Sequence, residues 1–290
     1  MNRLELLSFA KINLGLVLLR KREDGYHDIA TVFQQVDLCD RLSFSKTSEE
    51  IIIHSSCKDL PRGSENLVHR AFTRFKEKCR IEGGLEITIE KRIPMGSGLG
   101  GGSSNAAVTL KAANRLWNAG LSYEELERIA IQIGADVPFF IRGGTAFGRG
   151  LGEMLKPIDW QPRWWVVLVC PGIHVSTAWA YGQSKIALTK NEKFTNFMAL
   201  LKKRSSHDFF NGLTNDLEEV VFPRHPILPK IKELLTNRDA FYTGMSGSGS
   251  AVFGLFRNKE QAEGTRVFIS RELGAKAFLC KPISKTSFPV

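Results

Sequence analysis

The residues best suited to chemistry lie in one glycine-rich run. After Pro94 and Met95 come Gly96, Ser97, Gly98, Leu99, Gly100, Gly101, Gly102, Ser103 and Ser104. Before the run Leu85, Ile87 and Ile89 alternate as in a strand, and after it Ala106, Leu110, Ala113 and Trp117 fall on one helical face. The order is strand, glycine loop, helix. Successive glycines let backbone N–H groups converge on an anion, and a helix N-terminus adds partial positive charge, so the run is a candidate phosphate cradle. A flexible surface turn would have no reason to abut a strand on one side and a well-formed helix start on the other. The Gly-Lys-Ser or Gly-Lys-Thr ending of a Walker A loop is missing. Gly96, Gly98 and Gly101 satisfy G-x-G-x-x-G as a string, but no acidic residue ends a following strand about 20 residues on, so the dinucleotide reading is weak.

The elements that must position this loop are legible around it. Short apolar and β-branched segments predict strands over 4–8, 12–20, 32–38, 42–45 and 51–54, with the turn-like EDGYHD between the second and third. Ser64 is expected to cap a helix running through Cys79, with Leu67, Ala71, Phe72 and Phe75 at helical spacing. Ser122 with Glu125 forms a capping-box pattern for a helix that Gly134 would end in a left-handed conformation. The stretch GADVPFFIRGGTAFGRG is expected to return the chain to extended structure. Pro157 and Pro162 enclose Asp159 and Trp160, and a domain boundary is expected there, giving domains of 1–160 and 161–290. A buried strand over 164–170, helices over 226–237 and 259–273, and strands over 251–256 and 276–280 follow. The glycine-serine stretch TGMSGSGSA separates two of these elements.

With 290 residues, 43% of them apolar, the chain can bury a real core, and its length favours two domains. No apolar run approaches the roughly 18 residues of a membrane span, and the first ten residues carry Glu5 without a signal-peptide layout, so a cytosolic protein is expected. Cys39, Cys57, Cys79, Cys170 and Cys280 are odd in number and lack C-x-x-C pairing, which argues against a disulfide framework or a zinc site. The formal charge of +10 fits either a nucleic acid or a small polyanion such as ATP with a diphosphate substrate. The basic residues are dispersed without interleaved aromatics, so most belong to a solvated surface. His54, His69, His174, His207 and His225 have no ligand-like spacing and are read as structural or surface residues.

Three segments sharpen the reading. FAKINLGLVLLRKREDGYHDIATVFQ over 9–34, PMGSGLGGGSSNAA over 94–107 and GMSGSGSAVFGL over 244–255 resemble, in that order, the three signature motifs of the GHMP kinase superfamily. Within it, AKINL, DGYH, GADVPFF and the additional glycines and asparagine of GLGGGSSNAA are similar to the branch that acts on a cytidine diphosphate-linked methylerythritol. The resemblance extends from the N-terminal strands to the C-terminal glycine loop. It implies an α+β fold of two domains, a ribosomal-protein-like N-terminal domain and a ferredoxin-like α/β-plait C-terminal domain, with the active site in the cleft between them. It also implies ATP with Mg2+, and phosphorylation of the 2-hydroxyl of that small-molecule substrate in the non-mevalonate route of isoprenoid precursor synthesis. The setting it implies is the bacterial cytoplasm, as a monomer or weak homodimer, with no nucleic acid and no membrane partner.

Residue roles follow from the same resemblance. Lys11 in FAKINL and Asp136 in GADVP are expected to face each other at the acceptor hydroxyl, Asp136 as base or orienting group, Lys11 easing alkoxide and bridging-phosphate charge. Tyr26 and His27 match cytosine-recognition positions, an aromatic face to stack on a base and an imidazole to read its polar edge. Tyr181, or in its place Trp179, is the candidate for the opposite face of the base, and Asn13 for a partner of substrate hydroxyl or phosphate. The loop from Pro94 to Ser104 takes the ATP phosphates. Ser103 and Ser104 are candidates for touching the magnesium, a helix N-cap being the competing role, and the metal's other protein ligands are not assigned. Loop 244–249 is expected to pack beside the phosphate loop. Two alternatives stay open: another superfamily kinase acting on mevalonate, homoserine or a sugar, and a non-catalytic RNA-binding module, which would need no Lys11, Asp136 and phosphate loop together.

Overall fold

The computed structural model describes residues 3–184, 190–202 and 208–284. The segments expected as separate short strands over 4–8, 12–20, 32–38 and 42–45 join into two long ones, β1 (Arg3–Lys21) and β2 (His27–Thr47), which pair antiparallel along their lengths. Register shifts at Phe9/Ala10, Asn13/Gly15 and Leu18/Arg20 explain the misreading. Each bulge absorbs a residue that breaks the period-two pattern without ending the strand. The other edge of β2 is shared: its first half pairs with β5 (Thr145–Gly150) and its second half with β4 (Gly84–Glu90). Outside these lie β3 (Ile51–Ser55), parallel to β4, and β6 (Met154–Pro157), antiparallel to β5.

Helices α1 (Leu67–Cys79), α2 (Gly101–Leu116), α3 (Tyr123–Ala130) and α4 (Val137–Arg142) cover this sheet, burying Phe72, Phe75, Leu110 and Phe139 against Phe44, Leu85 and Ile87. The capping box expected at Ser122 and Glu125 is present. Three expectations are corrected here. The cap of α1 is Asn66, whose side chain accepts from the Val68 N–H, and not Ser64. Helix α3 ends at Ala130 with Ile131 as its cap, so Gly134 does not terminate it. Residues 137–142 are helical rather than extended, because Pro138 sits in the first turn, where a missing N–H costs nothing, and a short apolar run carries no period that separates helix from strand.

The second sheet holds β7 (Trp165–Cys170), β8 (Tyr242–Met245), β9 (Val252–Phe256) and β10 (Lys276–Cys280) in the antiparallel order β10-β7-β9-β8. Between β7 and β8 run α5 (Thr177–Gln183), α6 (Lys190–Lys202), α7 (Asp208–Asn211), α8 (Glu218–Arg224) and α9 (Ile227–Thr236). Helix α10 (Lys259–Leu273) joins β9 to β10. This is the β-α-β-β-α-β ferredoxin-like plan with extra helices in its first crossover. Ala10, Ile12 and Leu14 of β1 pack with Val166, Leu168, Phe253 and Leu255 of the second sheet, so β1 lies at the junction of the two. Among the described residues no helix is long and apolar enough to cross a membrane.

Candidate active site

Strand β1 brings Lys11 and Asn13 into the molecule, where both side chains are buried. The Lys11 backbone N–H donates to the Leu99 carbonyl at 3.0 Å, tying the strand to the glycine loop. That loop enters α2 through Gly100, whose φ of 68° is left-handed and which serves as the N-cap without any side-chain bond. Neither Ser103 nor Ser104 is therefore the cap. Gly98, at φ 76°, is required by a close approach: a Cβ there would lie 2.1 Å from the Ser246 carbonyl oxygen.

Ser246 belongs to the loop between β8 and β9, the third glycine-rich segment. Its hydroxyl donates to the Gly98 carbonyl at 2.9 Å and accepts from the Asn13 backbone N–H at 3.3 Å, while the Ala251 N–H donates to the Ser97 carbonyl at 3.1 Å. The two glycine loops and β1 thus meet at one place.

Asp136 arrives from the start of α4. Its Oδ2 lies 3.6 Å from Lys11 Nζ, and that ammonium also donates to Asn13 Oδ1 at 2.6 Å and stands 5.5 Å from the centre of the Phe33 ring. Around this pair opens a cleft of about 940 Å³, lined by residues 94–103, by Lys11, Asn13 and Asp136, by Gly247 and Ser248, and at its far end by Tyr26, His27, Thr177 and Tyr181. Ser104 is outside it: the hydroxyl is buried and accepts from Ser8 Oγ at 2.8 Å, so it faces away from the space a phosphate would occupy. Ser103 lines the cleft.

His27 is only 4% exposed, and both its ring nitrogens are buried without a hydrogen-bond partner. Burial, with the positive charge of Lys21, holds its pKa below the ordinary imidazole value, so the ring is neutral. Its ring centre is 5.7 Å from that of Tyr181. Burial and then the Asp136 carboxylate raise the Tyr181 phenol well above its usual range, which keeps it neutral. Tyr26 stands at the rim, 63% exposed. Trp179 is turned elsewhere, 4.8 Å from the Arg224 guanidinium and beside His225, so Tyr181 is the aromatic that the fold brings to the cleft.

Some participants escaped the sequence reading. Lys91 lines the cleft with its ammonium donating to Asp40 Oδ2 and to the Ile93 carbonyl, each at 2.7 Å, and Asp40, fully buried, also accepts from the N–H groups of Arg92 and Ile93. This pair fixes the segment that enters the glycine loop. Asn215 donates to the carbonyls of Met245 and Gly247, both at 2.8 Å, and so shapes the third loop. Its Oδ1 accepts from Leu217 N–H, and an asparagine just ahead of a helical segment was the available signal. His174, read as structural or surface, lies against the loop, where a Cβ on Gly96 would meet its Nδ1 at 2.4 Å. His207 lies outside the described residues.

Among the described residues no group of three or more His, Cys, Asp or Glu is arranged to hold a metal ion. A magnesium ion needs no such cage, since it keeps several waters and is bound through one or two protein oxygens plus phosphates.

The family model described as GHMP kinases N terminal domain matches residues 66–144, and that described as GHMP kinases C terminal matches residues 197–275. The chain is similar to the 4-diphosphocytidyl-2-C-methyl-D-erythritol kinase of Syntrophus aciditrophicus, 42% identical over 277 residues, covering 96% of this chain and 98% of that protein. The enzyme of the same name from Alkaliphilus oremlandii is 40% identical, covering 91% of each. Among solved structures, a 4-(cytidine 5'-diphospho)-2C-methyl-D-erythritol kinase matches with a TM-score of 0.78 at 33% identity, over 96% of this chain and 99% of that one. A homoserine kinase from Cytophaga hutchinsonii matches with a TM-score of 0.82 at 18% identity over 98% of this chain and 96% of that one, a likeness of fold alone.

Proposed function

This chain belongs to the GHMP kinase family, and from that premise we propose that it transfers the γ-phosphoryl group of ATP to the 2-hydroxyl of 4-diphosphocytidyl-2-C-methyl-D-erythritol. The products are the 2-phosphate and ADP, and the step belongs to the non-mevalonate route to isoprenoid precursors. One observation carries the choice of acceptor: the same cleft that joins Lys11, Asp136 and the glycine loop ends at a buried, neutral His27 whose ring nitrogens lack partners. A buried polar atom without a partner is costly, and a polar nucleobase edge would supply one. Tyr26 and Tyr181 offer that base two aromatic faces.

Phosphoryl transfer needs alignment and charge neutralisation more than covalent help. In this reading the backbone N–H groups of the loop from Pro94 to Ser103 hold the ATP phosphates at the start of α2. Asp136 takes the hydrogen bond of the acceptor hydroxyl and so aims its oxygen at the γ-phosphorus. As the new O–P bond forms, the hydroxyl proton passes to the Asp136 carboxylate, the bond from the γ-phosphorus to the bridging oxygen breaks and ADP leaves. Lys11, held between Asp136 and Asn13, lies where negative charge on the alkoxide and the transferring phosphoryl can be offset. Asn13 is in reach of the same substrate oxygens. Magnesium would travel with the ATP phosphates and neutralise them, with the Ser103 hydroxyl as the protein group that would hold it. The chain divides at 160/161, in a cytoplasmic enzyme that works on this small molecule without nucleic acid.

The test is ADP release from ATP and magnesium with this acceptor, beside mevalonate, homoserine and galactose. Turnover confined to the cytidyl substrate is expected. Turnover on another acceptor instead would overturn the assignment of the His27 end of the cleft.

A further inference from the structure

We propose that Thr31 is a positioning residue for the reaction, because its hydroxyl fixes which end of the Asn13 amide faces Lys11. Thr31 is fully buried on β2. Asn13 stands opposite Phe33 in the ladder and Thr31 opposite Leu16, and the register shift between Asn13 and Gly15 brings the two side chains together on one face. The Thr31 hydroxyl donates to the Gly15 carbonyl at 2.6 Å and accepts from Asn13 Nδ2 at 2.8 Å. On its other side, Asn13 Oδ1 accepts from Lys11 Nζ at 2.6 Å.

The donors and acceptors permit one arrangement. A carbonyl oxygen only accepts, so the single proton of the Thr31 hydroxyl is committed to Gly15, and the Thr31 oxygen is left as an acceptor. Asn13 must then present its NH2 to Thr31, which turns its oxygen toward Lys11. An ammonium only donates, so the match is complete. The flipped amide would set NH2 against NH3+ and leave Thr31 with two acceptors for one proton. An asparagine amide is nearly symmetric in shape, and the network rather than packing decides its orientation. Polarity therefore runs in one direction from Lys11 through Asn13 and Thr31 to the backbone of β1. Without Thr31 the Asn13 NH2 loses its acceptor and the amide is held by Lys11 alone, so the chain that anchors Lys11 to the backbone of β1 is broken.

This inference rests on the reading of Lys11 as the cation at the transferring phosphoryl. Thr31→Val keeps the shape and removes the hydroxyl. It is expected to lower kcat by at least about tenfold, since small misplacements of a reacting group are costly. KM for both substrates should stay within about threefold, the mark of an interaction that counts in the transition state. Thr31→Ser keeps both hydrogen bonds and is expected to hold kcat within about threefold of wild type. In an Asn13→Ala background Thr31→Val should change kcat by less than about twofold, because its effect passes through the missing amide.

Equal losses from Thr31→Val in both backgrounds, or a Thr31→Ser enzyme as impaired as Thr31→Val, would overturn the proposal, as would an undiminished kcat in Thr31→Val. Should the valine variant not fold, Thr31→Ala, which also removes the hydroxyl, takes its place in every comparison. A wild-type protein without turnover on the cytidyl substrate would instead overturn the functional reading on which the inference rests.

Discussion

Lys11 and Asp136 approach to 3.6 Å in the cleft, and the Asp136 side chain does not cap its own helix. Its replacement should therefore affect turnover far more than folding. Asp136→Asn is expected to lower kcat by at least about a hundredfold, the usual scale of a lost acid-base contribution, with the far-ultraviolet spectrum unchanged. A mutant with near wild-type turnover would remove Asp136 from the reaction. His27 yields a prediction of another kind. Its folded pKa lies below the 6.5 of an unperturbed imidazole, so the unfolded chain takes up a proton first as the pH falls. The group is without effect on stability above that value and costs stability progressively as pH drops from it toward the folded value. Between about pH 7 and about pH 5 the melting temperature of wild type should fall further than that of His27→Gln, which has no such titration. Equal falls would mean that the ring gains its proton as easily folded as unfolded. At this scale the motifs were legible because phosphate cradles and signature strings are local in sequence. Lys91, Asp40, Asn215 and Thr31 were not, because their roles consist of partners 51 positions apart for Lys91 and Asp40, of carbonyls 30 and 32 positions away for Asn215 and, for Thr31, of one hydrogen-bonded chain across a bulge.

Between elements, the glycine loop and the third loop approach so closely that glycine at specific positions is a structural requirement. Gly98 combines a φ of 76° with a would-be Cβ 2.1 Å from the Ser246 carbonyl oxygen, an atom that cannot rotate aside. Gly98→Ala should cost about 1–2 kcal/mol in left-handed strain alone, lower the melting temperature, and raise the ATP KM by at least about tenfold as the two loops part. Gly102 lies inside α2 with ordinary φ, and a Cβ there meets only Leu67 Cδ1 at 3.7 Å. Gly102→Ala should accordingly keep or raise the melting temperature, since alanine gains about 1 kcal/mol over glycine within a helix. The reverse order of the two in a thermal-shift series would refute this account of the loop. The same scale shows what could be read of the fold. Strand β4 and helices α1 and α2 announced themselves through clean periodicity. Helix α4 did not, since six mostly apolar residues beginning Val-Pro carry no period, and β1 and β2 were split in reading because bulges interrupt alternation without interrupting pairing.

For the molecule as a whole, the division proposed at 160/161 separates two sheets, β6 ending at Pro157 and β7 beginning at Trp165, but it does not separate two cores. Ala10, Ile12 and Leu14 of the first sheet are buried with Val166, Leu168, Phe253 and Leu255 of the second, and Leu16, Leu18 and Ile29 are buried with Val167, Val169 and Met245. Strand β1 also receives backbone bonds from the second half, Leu16 N–H donating to the Thr214 carbonyl at 2.8 Å and Asp216 N–H to the Leu16 carbonyl at 2.9 Å. Parting the halves would expose apolar side chains on both and strand those backbone groups, each loss unfavourable in the same direction. The cleft lies along this junction, so the surfaces that hold ATP and the acceptor exist only when both halves are folded. The protein should therefore unfold in one cooperative transition, with a ratio of calorimetric to van't Hoff enthalpy near one, and ADP should shift that transition whole. Phe253→Ala, at a fully buried site between the sheets, should cost about 3–5 kcal/mol and lower the same single transition rather than uncover a second. Residues 161–290 made alone should lack a cooperative melt. Two resolved transitions, only one of them moved by ADP, would mean that the shared core contributes less than the sheets do separately, and that the cleft is assembled from halves able to fold by themselves.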